Sequence, residues 1–204
     1  MLQRTPEWFQ ARVGKVTASR IVDVMAELAD KKKEAVSRRN YRRELALERF
    51  SNIPQESGYT SYAMQQGIIK EAAARDAYAF AKSVNVEEVG FIDHPTIDHA
   101  GASPDGFVDT HGMLEIKCPE ANAMWEMLVK MPLDKRYIYQ AQWQLACCPE
   151  RHWVDIAFYR EGCPLEIINL PRDDFLIAQL ESEVRKFLRE VDADYQQLCR
   201  MQQQ

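Results

Sequence analysis

In the segment SPDGFVDTHGMLEIKCP, residues 103–119, Asp105, Glu115 and Lys117 stand among residues that read as two short strands. Burying three charged groups for packing alone is costly, so their presence in one hairpin points to chemistry. Side chains alternate in direction along a strand, so Glu115 and Lys117 share one face of MLEIKC and Leu114 and Ile116 share the other. Asp105 joins Glu115 and Lys117 only if the loop has an odd number of residues or a bulge falls near Gly106. A three-residue loop, Asp109–His111 or Thr110–Gly112, would set Asp105 opposite Glu115 or opposite Lys117, and Gly112 can supply a positive φ for the turn. Two carboxylates on one face repel unless a cation sits between them, and their hard oxygens suit Mg²⁺ or Mn²⁺. A neighbouring ammonium can orient a water or stabilise negative charge growing on a phosphate. The plainer alternative is a surface hairpin with an ordinary ion pair.

The elements that must position this hairpin follow from periodicity. Thr17 or Ser19 is expected to cap a helix running to about Ala29, with Ile21, Val24, Met25 and Leu28 on one face. A second helix is expected from about Glu34 to Phe50, then a loop over SNIPQESG and a long Ala-rich helix over residues 60–83. VEEVGFIDH reads as one strand, and a further extended segment runs from Ile97 towards Ser103. Helices over residues 122–131 and 135–148 precede a strand in HWVDIAFYR, its partner in PLEIINL, and a final helix after Pro171. Strands flanked by helices make a mixed α/β domain. One domain is expected over residues 1–204, with a basic helical region at 1–50, a core at about 60–170 and a terminal helix at about 172–200.

Composition narrows the function classes. Residues 1–50 carry 12 Lys and Arg against 7 Asp and Glu, whereas residues 51–204 carry 14 against 24. The net charge of −5 argues against a generic polycation, but a basic first quarter on an acidic body allows a local anion-binding surface. A solvated helix face around KKKEAVSRRNYRR is the simpler account. No apolar run approaches the roughly 18 residues of a membrane span, and MLQRTPEWFQ has no apolar leader region, so no membrane partner is expected. Five cysteines, two of them adjacent at Cys147 and Cys148, form no paired framework, and a cytoplasmic location is expected.

SPDG…LEIKCP resembles the core of the PD-(D/E)xK nuclease superfamily and, more narrowly, the phage lambda exonuclease or YqaJ-type alkaline exonuclease family. RVGKVTAS (Arg12–Ser19), GIIKE (Gly67–Glu71) and YIYQAQ (Tyr137–Gln142) are similar to further motifs of that family, in the same order. The resemblance covers most of residues 4–145 and implies a restriction-endonuclease-like core, a mixed central sheet flanked by helices. It implies a site for two Mg²⁺, replaceable by Mn²⁺, on Asp105, Glu115, the carbonyl of Ile116 and Glu71, with Lys117 positioning or deprotonating water. It implies a 5′-phosphate site on Arg12, Ser19, Ser103 and Gln140, a supporting Tyr137, and Met64 as a wedge at the DNA end. The physics of that set is consistent: Arg offers a fork to phosphate oxygens, and Ser19 falls at an expected helix start, as an anion ligand or a plain cap. Tyr137, one turn before Gln140, and Met64 also suit core packing. The implied activity is 5′-to-3′ digestion of linear double-stranded DNA by a toroidal homotrimer, leaving a 3′ overhang for a single-strand annealing recombinase. Two alternatives stay open: another PD-(D/E)xK nuclease, some of which carry an iron–sulfur cluster on closely spaced cysteines, or a non-catalytic DNA-end-binding module.

Overall fold

The computed structural model describes residues 2–27, 33–55, 62–130 and 132–202, without the side chains of 62–69. Helix α1 (Pro6–Arg12) starts where Thr5 accepts the Trp8 N–H and Pro6 supplies a preset φ. Strand β1 (Val16–Thr17) leads into a 3₁₀ turn (Ala18–Arg20) and α2 (Ile21–Val24). Then come α3 (Val36–Ser51), α4 (Tyr62–Lys82), β2 (Val86–Glu87), β3 (Ile92–Asp93), β4 (Ala100–Ala102), β5 (Gly106–Val108) and β6 (Gly112–Lys117). The chain finishes with α5 (Ala121–Leu128), α6 (Lys135–Cys147), β7 (Trp153–Phe158), β8 (Glu166–Pro171) and α7 (Asp174–Gln202).

The strands form a five-stranded sheet in the order β2-β5-β6-β7-β8 and a three-stranded sheet in the order β1-β4-β3. In the larger sheet only β6 and β7 are parallel, so it is mixed. Its two faces are covered differently. Met113 joins the core built by α6 and α7, with Trp143, Leu180 and Phe187. Leu114 and Ile116 pack with Ala74 and Tyr78 of α4. Alternation along β6 therefore turns Glu115 towards α6, away from the face on which Leu114 and Ile116 meet α4. Fully buried Asp155 of β7 fixes α4 on the sheet: it accepts from the Tyr78 hydroxyl (2.7 Å) and Asn169 (2.7 Å), with the Lys82 ammonium 3.4 Å away.

Several sequence expectations change. The helix expected to run to Ala29 stops at Val24, and neither Thr17 nor Ser19 caps it. The Val24 carbonyl accepts instead from the Arg38 side chain (3.3 Å), so the ladder has nowhere to continue. VEEVGFIDH is two strands in two sheets, because Val86 pairs with Val108 whereas Ile92 pairs with Ala102. The basic surface of the first quarter is largely neutralised from within. Arg38 bonds Glu190, Arg42 bonds Asp194 and Arg49 bonds Asp192, which ties α3 to α7. Arg38 and Arg42 also share Glu34. Lys31 and Lys32 lie outside the described residues.

Candidate active site

The β5–β6 hairpin pairs Val108 with Gly112, which leaves the three-residue loop Asp109–His111. Asp109, not Gly112, takes the positive φ, at 47°, and Arg151 holds that loop by donating to the Asp109 carbonyl at 3.0 Å. Gly112 is needed for another reason: a Cβ there would lie 2.2 Å from the Trp153 ring. The Asp105 N–H donates to the Leu114 carbonyl (3.0 Å), which extends the register and sets Asp105 opposite Glu115.

Glu115 is 5% exposed and accepts from three donors. Lys117 Nζ (2.7 Å) and Gln140 Nε2 (2.6 Å) meet Oε1, and Gln144 Nε2 (2.5 Å) meets Oε2. Gln140 Oε1 also accepts from Lys117 Nζ at 3.0 Å. Gln140 and Gln144 are one turn apart on α6, so one helix face grips both charged groups of β6. Burial pulls the Lys117 pKa down, but the Glu115 carboxylate and Asp105 outweigh it and raise the value above the ordinary lysine range. Lys117 is therefore an ammonium at neutral pH.

Asp105 Oδ2 accepts the Ile116 N–H at 2.6 Å. Burial first, and Glu115 second, raise its carboxyl well above the usual range; Glu71 adds to this, while Ile116 N–H and Lys117 oppose it. Glu71, on α4, forms an ion pair with Arg4. Arg4 reaches it from a left-handed backbone (φ 64°), and Gln3 anchors that segment by donating to the carbonyls of Pro104 (2.7 Å) and Val89 (3.0 Å).

Ser103 lies two residues before Asp105, and its Oγ accepts from Trp8 Nε1 at 2.9 Å. The Arg12 guanidinium lies over the same Trp8 ring, 4.1 Å from its centroid. Arg12, Trp8 and Ser103 thus make a continuous group running to the hairpin. Ser19 is exposed in the 3₁₀ turn, 3.5 Å from the Thr17 hydroxyl. Gln140 is in contact with Glu115 and Lys117. The Tyr137 ring stands 5.4 Å from the Lys117 ammonium and 4.7 Å from the Arg136 guanidinium, with its edge against Phe158. The Met64 side chain lies outside the described residues.

Four residues at this site escaped sequence reasoning: Arg4, Trp8, Arg136 and Gln144. Only Gln144 had a signal, its four-residue spacing from Gln140. Among the described residues, no three His, Cys, Asp or Glu side chains are grouped so as to hold a metal ion, and Glu71 is paired with Arg4. The donor set nonetheless fits a hard divalent cation. Asp105, Glu115 and Glu71 offer only oxygen ligands, and a cation would offset the repulsion that raises the Asp105 pKa. The five cysteines are all free and form no such cluster.

A mixed sheet with Asp105 facing Glu115-x-Lys117 across a hairpin is the PD-(D/E)xK arrangement. The model of the YqaJ-like viral recombinase domain matches residues 7–150. Two crystal structures of LHK-Exo, an alkaline exonuclease from Laribacter hongkongensis, are 42% identical over 97% of each chain, with TM-scores of 0.87 (in complex with dAMP) and 0.86. A phage-related exonuclease from Haemophilus somnus 129PT, at 16% identity, shares the fold, with a TM-score of 0.66 over 92% of this chain and 96% of that one. Among curated proteins nothing matches. The chain belongs to the lambda exonuclease/YqaJ family. Among the described residues no helix is long and apolar enough to cross a membrane.

Proposed function

We propose that this protein is a Mg²⁺-dependent exonuclease that digests one strand of linear double-stranded DNA from 5′ to 3′ and releases mononucleotides. Membership in a family with exonuclease relatives supports the nuclease class. The observation that carries the reading is the buried Glu115–Lys117 pair, gripped by Gln140 and Gln144 and faced by Asp105. LHK-Exo binds dAMP, a nucleotide of the kind such a reaction would release.

Two Mg²⁺, or Mn²⁺, held by Asp105, Glu115, the Ile116 carbonyl and Glu71 would supply Lewis acidity at the scissile phosphate. The protein's own groups do the rest. Gln140 and Gln144 fix the Glu115 carboxylate, so it is oriented before substrate arrives. Lys117, protonated, donates to water or to the phosphate oxygens and stabilises charge there, rather than acting as the base in this state. Arg12, Ser103, Ser19 and Gln140 would receive the terminal 5′-phosphate, with Trp8 holding Arg12 and Ser103 in place. Tyr137 supports Lys117, and Met64 would part the terminal base pair. A homotrimeric ring working in the cytoplasm with a single-strand annealing recombinase, which takes the 3′ overhang, completes the proposal.

The test is digestion of a linear duplex by Lys117→Ala and Glu115→Gln proteins. Losing one positioned donor to developing charge costs roughly 10²–10³-fold, so Lys117→Ala should lose at least that much, and Glu115→Gln, which removes a proposed metal ligand, no less, with both proteins remaining folded in a thermal melt. Near-normal turnover in either folded variant refutes the site.

A further inference from the structure

Beyond Lys117 the end of β6 opens on a groove lined by Lys70, Cys118, Pro119, Tyr159, Arg160 and Glu161. Its lining adjoins the candidate site at two points. Lys70 immediately precedes Glu71 on α4, and Cys118 immediately follows Lys117. The Tyr159 N–H donates to the Lys117 carbonyl at 2.8 Å, which ties the wall of the groove to the strand carrying the site. Arg160 Nη1 donates to the Pro119 carbonyl at 3.1 Å, which holds the guanidinium at the rim. Its ion-pair partner there, Glu120, lies 3.5 Å away and is 88% exposed, and such a surface pair is worth so little that an incoming phosphate can displace it. Lys70 forms no ion pair among the described residues.

Charge use elsewhere gives this pair its meaning. Arg4 is engaged by Glu71, Lys117 by Glu115, and Arg38, Arg42 and Arg49 by the acids of α7. Lys70, without an ion pair among the described residues, and Arg160, paired there only with the exposed Glu120, are two cations beside the site within reach of a polyanion. The groove lies on the β7 side of β6, whereas Ser103 and the Arg12 group approach from the β5 side. A strand with its 5′ end on the β5 side would leave across this groove.

Resting on the nuclease reading, we propose that the groove binds backbone phosphates of the digested strand on the 3′ side of the scissile bond, through Lys70 and Arg160. Such contacts position the strand without reading its sequence. Each phosphate contact contributes about 0.7–0.9 to the slope of log affinity against log salt. The test is fluorescence anisotropy of a 5′-phosphorylated linear duplex between 50 and 200 mM salt, with Ca²⁺ replacing Mg²⁺ and the label's integrity checked on a gel. Lys70→Ala and Arg160→Ala should each lower the slope by that amount, so the wild-type loss of affinity over this range shrinks about 3-fold in each variant. Lys70→Arg should keep the wild-type slope, and so should Lys186→Ala on α7. Wild-type slopes in both alanine variants overturn the groove assignment, as does an equal fall in Lys186→Ala. Failure of the nuclease reading looks different: the wild-type protein itself would neither bind nor digest duplex ends.

Discussion

Gln144→Leu separates catalytic positioning from stability. Gln144 is fully buried, and its Nε2 makes a 2.5 Å bond to Glu115 Oε2. A hydrogen bond to a charged group is worth about 1.5–3 kcal/mol, and Leu cannot make it. The same side chain buries Oε1 without a hydrogen-bond partner among the described residues. An orphaned buried acceptor costs about 1–3 kcal/mol, and Leu removes that cost. The two effects nearly cancel, so net stability should change by no more than about 1 kcal/mol, or roughly 2–4 °C in melting temperature for a chain of this size. Activity has no such cancellation. One oxygen of Glu115 loses its orienting donor, and about 1.5–3 kcal/mol of lost positioning is about 10- to 150-fold in rate. The assays are a thermal melt and timed duplex digestion on one preparation. A melting temperature lowered by much more than 4 °C with matching loss of activity would show that Gln144 serves the fold. An unchanged rate would show that Glu115 needs only Lys117 and Gln140.

Asp105→Asn should abolish digestion and change how stability depends on pH. Because the native carboxyl is raised by burial and Glu115, the folded protein holds its proton to higher pH than the unfolded chain; metal-free stability therefore falls as pH rises from the unfolded pKa through the native one. The Asn variant should lack that fall and melt higher than wild type at alkaline pH without metal, as calorimetry across pH would show. Arg12→Ala should still cleave but lose most of the preference for 5′-phosphate over 5′-hydroxyl ends, expected at roughly 10- to 150-fold from one charge-assisted bond; an unchanged ratio on matched duplexes removes Arg12 from the pocket. Arg4→Ala frees Glu71 from its ion pair and should tighten binding of Mn²⁺ in a calorimetric titration; weaker binding would make Arg4 a support for the site.

How far the sequence carried depended on the range of the interaction. Alternation in MLEIKC put Glu115 and Lys117 on one face, because strand geometry is local, but Asp105 joined them only on condition of an odd loop or a bulge, and the three-residue loop between Val108 and Gly112 meets that condition. The role of Gly112 was not legible, since its constraint is the Trp153 ring of a neighbouring strand. Helical periodicity through Ile21, Val24 and Met25 predicted a longer helix than forms, because its end is set by a side chain from α3. The basic run read as a potential anion surface until α7 supplied Glu190, Asp192 and Asp194 from some 150 residues away. Arg4 and Glu71, 67 residues apart, left no trace in local pattern. Ser103 and Arg12 came from motif resemblance, and the Trp8 ring that joins them appears only once the chain is folded.

In the proposed reaction Asp105, Glu115 and Lys117 cut DNA from a 5′ end with a divalent cation. The decisive assay is timed digestion of a linear duplex, labelled in separate samples at the 5′ or the 3′ end of one strand, with and without Mg²⁺. With Mg²⁺ the 5′ label should be released at once as a mononucleotide, and the 3′ label should stay on progressively shorter strands. Without Mg²⁺ neither label should move. Early release of the 3′ label, internal cuts, or equal digestion in a chelator would rule out a metal-dependent 5′-to-3′ exonuclease.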